Sequence, residues 1–188
     1  MRVWSLGEPN SDEAELIRRF FDGIEKYTPT LVSWNGGGFD LPVLHYRSLL
    51  HGISAPRYWD TGDNDRDFKW NNYLSRFHAR HTDLMDVLSG YQPRAVAPLD
   101  EMAQLLGLPG KLGRHGSEVW GQYLEGKIDE IRDYCETDAL NTYLIYLRFE
   151  LLRGNLDEAG WKREAELVRK TLREANKVHL NAFLAAWN

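Results

Sequence analysis

The sequence has a single cysteine, Cys135, in 188 residues, so no disulfide bond can form within the chain. Such cysteine usage is typical of a reducing compartment, and we expect a cytoplasmic protein. Apolar runs are also short, well below the roughly 18 residues that a membrane-spanning helix needs. The N-terminus, MRVWSLGEPN, is too short and polar for a signal peptide. We therefore expect no membrane association.

Positive charge is not in excess either. Lysine and arginine total 23, aspartate and glutamate total 28, and the net charge is −5. Proteins that coat nucleic acid through phosphate contacts are usually basic, which argues against that class. An enzyme that reaches a phosphodiester through metal ions stays compatible, because metal-binding carboxylates add negative charge. The length and the apolar content of 43% predict a single domain over residues 1–188.

Hydrophobic periodicity predicts few strands and many helices, and therefore an α/β layer architecture. Residues 54–80 are polar and are predicted to form a long surface loop with at most a short helix. The segment 81–88 favours a strand, with the start of a helix as the alternative. The other predicted strands are Arg2–Leu6 and Thr30–Trp34, and the predicted helices begin after a cap at Asn10, near Phe39, near Pro98, near Ser117, near Lys127 and near Asp157.

The segment LVSWNGGGFDLP, Leu31–Pro42, ends a predicted strand in an asparagine and three glycines, immediately before a predicted helix. Glycines at a strand end allow a sharp turn and a close approach of another group to the backbone. Open α/β sheets bind ligands at the carboxyl ends of their strands, and Asp40 occupies such a position. The alternative is that Asp40 only caps the helix that follows.

The second candidate lies in the segment YCETD, where Tyr134 and Asp138 are separated by one helical turn. Residues four apart share one face of a helix. Asp138 lies at the border of the predicted apolar stripe, where a carboxylate can point into a cleft. The alternative is a packed tyrosine beside a solvated aspartate.

Together the two segments, Asn35-x-x-x-Phe39-Asp40 and Tyr134-x-x-x-Asp138, resemble the second and third motifs of the DEDD exonucleases. The chain is similar to the predicted 3′–5′ exonucleases related to the proofreading domain of family B DNA polymerases. The resemblance extends through LVSWNGGGFDLPVL, HTDLMDVL, LLGLPGKLG, GSEVW and the helix that begins near Lys127. It implies a ribonuclease H-like α/β fold with additional C-terminal helices.

The resemblance also implies a chemistry. The activity would be metal-dependent hydrolysis at the 3′ ends of single-stranded nucleic acid, DNA more than RNA. Two Mg²⁺ or Mn²⁺ ions would activate a water molecule and stabilise the leaving oxygen. Asp40 and Asp138 would be metal ligands, and Tyr134 would orient or help deprotonate the attacking water. Asn35 and Phe39 would contact the substrate, and the alternative for Phe39 is packing in the core.

The first motif of the family, Asp-x-Glu on a central strand, does not occur in this sequence. The resemblance therefore implies that the chain begins about fifty residues late and that the fold lacks its N-terminal strands. We expect weak metal binding and poor cleavage, and an exposed sheet edge that favours a homo-oligomer. The competing hypothesis is a catalytically silent module on the same fold that binds nucleic acid or protein.

Two further groups are weaker candidates. Lys111, Arg114 and His115 lie in a glycine-rich loop where they could contact a substrate phosphate, and a solvated turn is the equal alternative. His78, His81 and Asp83 imitate part of a zinc site, but the four-ligand set is incomplete. For those three residues we favour side chains satisfied within the protein or by solvent.

Overall fold

The computed structural model describes residues 1–113 and 116–187. It divides into two compact units: the first unit is Leu6–Val96, and the second unit combines Met1–Ser5 with the chain from Ala97 onward. The described chain is mixed α/β, mostly helical with one small sheet. Within the described ranges no helix is both long and apolar enough to cross a membrane. The ribonuclease H-like topology and the single domain stay predictions.

The first unit begins with helix α1, Glu13–Tyr27. Its N-cap is Asp12, whose Oδ1 accepts a hydrogen bond from the Glu15 N–H at 2.7 Å. The predicted cap at Asn10 is therefore wrong, since an aspartate three residues before a free backbone N–H provides the charged acceptor that a helix start favours. The apolar stripe of α1 is buried as its spacing predicts, through Ile17, Phe21 and Ile24.

The sheet of the first unit consists of two short parallel strands, β1 (Leu31–Ser33) and β2 (His81–Asp83). They pair in the register Leu31 to His81 and Ser33 to Asp83. Both ladder strands run in the same direction, so their carboxyl ends lie at the same edge. Of the two structures considered for residues 81–88, both form: β2 passes directly into helix α4, Leu84–Leu88.

The predicted strand at Arg2–Leu6 does not form. A strand needs a neighbour to satisfy its backbone groups, and in the described part of the chain β1 and β2 pair only with each other. Instead the backbone N–H and the hydroxyl of Ser5 both donate to Glu136 Oε1, at 3.0 and 3.2 Å. This segment is therefore held by a side chain of the second unit, to which it belongs.

Helix α2, Asp40–His51, ends as predicted at Gly52, which has the left-handed φ of 62° that favours glycine. The short helix α3, Pro56–Trp59, follows. The prediction of a surface loop over residues 54–80 is wrong in its burial, because Tyr58, Phe68 and Tyr73 from this segment are at most 2% exposed. These rings join α1 and α2 in the core of the first unit, so its aromatic residues outweigh its polar composition.

The second unit is helical in its described residues. Its elements are α5 (Leu99–Leu105), α6 (Val119–Leu124), α7 (Ile128–Leu152), α8 (Glu158–Ala175) and α9 (Val178–Ala186). Helices α7, α8 and α9 pack against one another, around buried Leu144, Val168 and Phe183. Helix α9 has no counterpart in the sequence-based prediction. It begins after a break at Asn176, which takes a left-handed φ of 48°.

Candidate active site

A tight loop, Asn35–Phe39, connects β1 to α2, and we refer to it as the glycine turn. The carbonyl of Asn35 accepts hydrogen bonds from the N–H groups of Gly38 and Phe39 at 3.1 and 3.0 Å. The Asp83 carboxylate holds the other side: Oδ1 accepts from the Asn35 N–H at 2.9 Å, and Oδ2 from the Gly37 N–H at 2.8 Å. The end of β2 therefore fixes the conformation of the turn that follows β1.

The three glycines serve space and not unusual dihedral angles, since the residue with positive φ in this turn is Asn35, at 62°. Asparagine tolerates that region better than most side chains. A Cβ atom on Gly36 would lie 2.5 Å from the Ser33 side chain, and one on Gly38 would lie 2.4 Å from Asn35 Oδ1. Either contact is too close, so side chains at these positions would force the turn open.

Asp40 is the first residue of α2 and does not cap it. The N-cap position is Phe39, and among the described residues no side chain caps this helix. The carboxylate of Asp40 is exposed and so stays available for a ligand. Desolvation by the surrounding chain raises the pKa of Asp40, and the nearby charge of Asp83 adds to the increase. A cation beside Asp40 would relieve both effects.

Phe39 is 64% exposed, so the alternative that it packs in the core is wrong. Asn35 is exposed as well. Both predicted substrate-contacting residues of the first unit are thus on its surface, at the same turn as Asp40. The zinc-like group is satisfied within the protein, as favoured: His81 Nε2 bonds to Ser33 Oγ at 2.8 Å, and His78 Nδ1 accepts from the Asn72 N–H at 3.0 Å.

In the second unit, Tyr134 and Asp138 lie one turn apart on α7, as predicted. The Tyr134 hydroxyl accepts a hydrogen bond from Lys111 Nζ at 2.8 Å, and the same ammonium lies 3.9 Å from Asp138 Oδ2. Burial lowers the pKa of Lys111, but the Tyr134 hydroxyl and the Asp138 charge outweigh burial and raise it. Lys111 therefore stays charged and donates, which leaves the hydroxyl proton of Tyr134 free to donate elsewhere.

Asp138 is only 24% exposed in its side chain, and its Oδ1 is buried with no hydrogen-bond partner in the described part of the chain. Burial raises the pKa of Asp138, against the opposing effects of Tyr134 and Lys111. An unpartnered buried carboxylate oxygen is costly in a folded protein. A hard cation such as Mg²⁺ or Mn²⁺ binds carboxylate oxygens, so the donor set at Asp138 fits a metal ligand.

Lys111 is positioned by two residues that sequence reasoning missed. Asp100 Oδ1 accepts a hydrogen bond from the Lys111 N–H at 2.7 Å. Asn141, fully buried, donates to the Gly110 carbonyl at 2.8 Å and accepts from the Gly110 N–H at 3.2 Å. The one signal for Asn141 was an amide inside the apolar stripe of α7. Arg114 and His115, named with Lys111 as phosphate contacts, lie outside the described residues.

Comparison with known proteins gives a family. A model of predicted 3′–5′ exonucleases related to the exonuclease domain of PolB matches residues 1–187. This chain belongs to that family. The exonuclease family thus accounts for the co-occurrence of the glycine turn with the Tyr134 and Asp138 pair, and it makes the chain a member of a nuclease family.

Individual relatives of this exonuclease are DNA polymerases. The chain is 29% identical over 147 residues to the catalytic polypeptide of DNA polymerase epsilon from Saccharomyces cerevisiae, and this match covers 74% of the chain and 6% of that protein. It is 25% identical over 137 residues to a DNA polymerase of Archaeoglobus fulgidus, covering 71% and 17%. The chain therefore spans less than a fifth of the length of these relatives. No solved structure matches it significantly.

A second carboxylate group on α7 of the exonuclease chain involves Asp133, Glu136 and His179, whose ligand atoms lie within 4.8 Å of one another. That spacing would admit a metal ion, but the group already contains its own cations. His179 bonds through Nδ1 to Asp133 at 2.9 Å and through Nε2 to Glu136 at 2.8 Å. Lys177 Nζ lies 3.1 Å from Glu136. We interpret the cluster as a tie between α7 and the start of α9.

This tie predicts a pH-dependent stability. Burial raises the pKa of Glu136, but the bonds from Lys177 and His179 outweigh it, so the folded pKa lies below the ordinary value of 4.5. A carboxylate with a depressed folded pKa stabilises the fold above its unfolded pKa, and this contribution is lost as the pH falls through the folded value. Glu136→Gln should therefore lower the free energy of unfolding at pH 7 by about 3 kcal/mol.

Urea unfolding of the Glu136→Gln variant at pH 7 and at about pH 3 checks the prediction. The deficit should shrink at the acidic pH, where the wild-type carboxylate begins to protonate. Glu174→Gln is the matched control, because Glu174 forms only an exposed ion pair with Lys170 at 3.8 Å and should change stability by less than about 1 kcal/mol. A deficit that is equal at both pH values would contradict the assignment.

Proposed function

We propose that this chain is a metal-dependent 3′–5′ exonuclease that hydrolyses phosphodiester bonds at single-stranded DNA ends by a two-metal mechanism. The observation that carries the proposal is the buried, unpartnered Oδ1 of Asp138 beside the Tyr134 and Lys111 pair. Family membership supports nuclease chemistry. DNA is favoured over RNA as the substrate because the relatives are DNA polymerases.

Asp138 and Asp40 are the proposed metal ligands, and exonuclease domains of this kind generally use divalent metals. Both carboxyl groups have a raised pKa, which means that each would gain from a nearby cation. When bound, Mg²⁺ or Mn²⁺ would supply an activated water and stabilisation of the leaving oxygen. The acidic composition of the chain agrees with metal-mediated contact to phosphate.

Tyr134 is proposed to orient the attacking water as a neutral phenol. Burial raises the pKa of Tyr134, and the Asp138 charge adds to this, while Lys111 opposes it. A raised pKa disfavours the phenolate, so of the two roles implied by the resemblance, orientation is favoured over deprotonation. Because Lys111 donates to the Tyr134 oxygen, the phenol can point its own proton at a water or at a phosphate oxygen.

Lys111 is proposed to act on the substrate as well, as a cation beside the scissile phosphate. On the first unit, the exposed Asn35 and Phe39 are proposed to contact the terminal nucleotide, with Phe39 offering its ring for stacking. Family relation does not favour the alternative of a catalytically silent module. A cytoplasmic location and a homo-oligomer formed through the edges of the small sheet also remain proposals.

The test is the degradation of a 5′-labelled single-stranded oligonucleotide by purified, folded protein in Mn²⁺. We expect a ladder of products that shorten from the 3′ end. Three parallel reactions sharpen the result: excess EDTA should stop the reaction, a chemically blocked 3′ terminus should resist it, and the RNA oligonucleotide should be shortened more slowly. Absence of cleavage in Mn²⁺, or cleavage that persists in EDTA, would refute the proposal.

A further inference from the structure

The first unit contains a cavity of about 630 Å³ that the catalytic proposal does not use. We refer to it as the aromatic cavity, because the rings of His45, Tyr58, Trp59 and Tyr73 form part of its wall. The volume lies within the range of about 300–1,000 Å³ that is usual for small-molecule sites. Asp40 is not among its described lining residues, so the cavity is distinct from the surface that carries that carboxylate.

The rings of the aromatic cavity form one connected group. Tyr58 stacks on Tyr73 with 5.4 Å between centroids and an angle of 10° between planes. His45 lies 5.1 Å from Tyr58 and 4.9 Å from Trp59. Tyr58 and Tyr73 are buried, whereas Trp59 is 51% exposed. The exposed part of Trp59 is therefore a free aromatic surface mounted on a rigid base.

His45 adds a polar group without a partner. Its Nε2 is buried and makes no hydrogen bond to the described residues, although buried polar atoms are nearly always bonded. Burial lowers the pKa of His45, so the ring is neutral near pH 7. A neutral imidazole nitrogen donates or accepts a single hydrogen bond, depending on the tautomer. The cavity thus offers stacking surface and one directional polar contact.

The glycine turn joins this cavity to the Asp40 side of the unit. Gly37 and Gly38 line the aromatic cavity, whereas a Cβ atom on Gly36 would lie 3.7 Å from Asp40 Oδ2. Because consecutive Cα atoms are about 3.8 Å apart, the two faces are separated by one or two residues of backbone. A strand held near Asp40 can therefore place a neighbouring unpaired base at the cavity.

We propose that the aromatic cavity binds a nucleobase. A base presents a π-face to Trp59 and a hydrogen-bonding edge to His45 Nε2, and base–aromatic stacking is the usual way in which proteins hold unpaired bases. Arg76, which lines the cavity and is paired with Asp86 at 2.8 Å, places a guanidinium near the sugar–phosphate of the same nucleotide. The choice of a nucleobase rests on the proposed nuclease function.

Titration with dTMP, dAMP and a short oligo(dT), each in EDTA and followed by tryptophan fluorescence, tests the proposal. We expect saturable quenching. Trp59→Leu and His45→Phe should each weaken binding by about tenfold or more, and His45→Phe keeps the packed ring while removing Nε2. Trp70→Leu is the matched control, because Trp70 is 77% exposed outside the cavity, and it should stay within about twofold.

Binding of mononucleotides as tight as that of oligo(dT) would identify a free nucleotide as the ligand, and tighter binding of oligo(dT) would identify a base within a strand; both support the cavity as a base site. Absence of saturable quenching, or equal binding by wild type, Trp59→Leu and His45→Phe, would overturn it. Because the titration contains no metal, base binding without nuclease activity would refute only the proposed function, and nuclease activity without base binding would refute only the cavity.

Discussion

Replacing Asp138 by asparagine should reduce the cleavage of single-stranded DNA by at least about hundredfold while leaving the protein as stable as before or more stable. The two readouts move in opposite directions for one physical reason. Asp138 is a buried carboxylate with an unpartnered oxygen and a raised pKa. Its charge therefore costs folding free energy above the unfolded pKa, and the neutral amide removes that cost. The same charge is what a metal ion would require.

Cleavage rates and melting temperatures of wild type and Asp138→Asn, with Mn²⁺ binding followed by electron paramagnetic resonance, check this prediction. Asp129→Asn is the control, since Asp129 lies exposed in the first turn of the same helix and should leave both quantities unchanged. A variant that keeps its activity within about tenfold would contradict the role of Asp138 as a metal ligand. A large fall in melting temperature would instead indicate a structural role.

Replacing Asp83 by alanine should lower the free energy of unfolding by about 3 kcal/mol. The carboxylate accepts hydrogen bonds from three backbone N–H groups: Asn35 at 2.9 Å, Gly37 at 2.8 Å and Met85 at 3.2 Å. Alanine would leave all three donors without their acceptor, and Asp83 itself is only 8% exposed, so water would not fully replace it. The glycine turn should loosen first.

Urea unfolding measures the total effect, and amide hydrogen exchange locates it. The N–H groups of Asn35, Gly37 and Met85 should exchange faster in the variant, whereas amides of α8 should not change. Asp86→Ala is the matched control three residues later, because Asp86 makes an exposed ion pair with Arg76 that should contribute less than about 1 kcal/mol. Equal destabilisation by the two substitutions would contradict the assigned role of Asp83.

Local patterns predict well the parts of this chain that local chemistry determines. Helix α7 follows from an apolar spacing sustained over many turns, and the stop of α2 follows from Gly52. The pairing of Tyr134 with Asp138 on one face needs only the helical period. Resemblance to the exonuclease motifs identified both candidate segments, and the matching family model confirms that resemblance.

Features that depend on distant contacts could not be predicted in this way. The acceptor for the glycine turn is a side chain 48 positions later in the chain, and nothing near Asn35 indicates it. Tyr58 and Phe68 are buried although their neighbours are polar, because long-range packing decides their environment. Arg2–Leu6 has strand-like residues, but β propensity has no effect without a partner strand.

The long connection between β1 and β2 has a consequence for how the protein folds. Asp83 must meet Asn35 across 48 positions of chain, and closing so long a loop is entropically costly until the intervening core has formed. The glycine turn therefore acquires its shape late, after α2 and the aromatic residues of the connection are in place. On the ribosome, a nascent chain would contain every residue of the turn well before Asp83 has emerged to lock it.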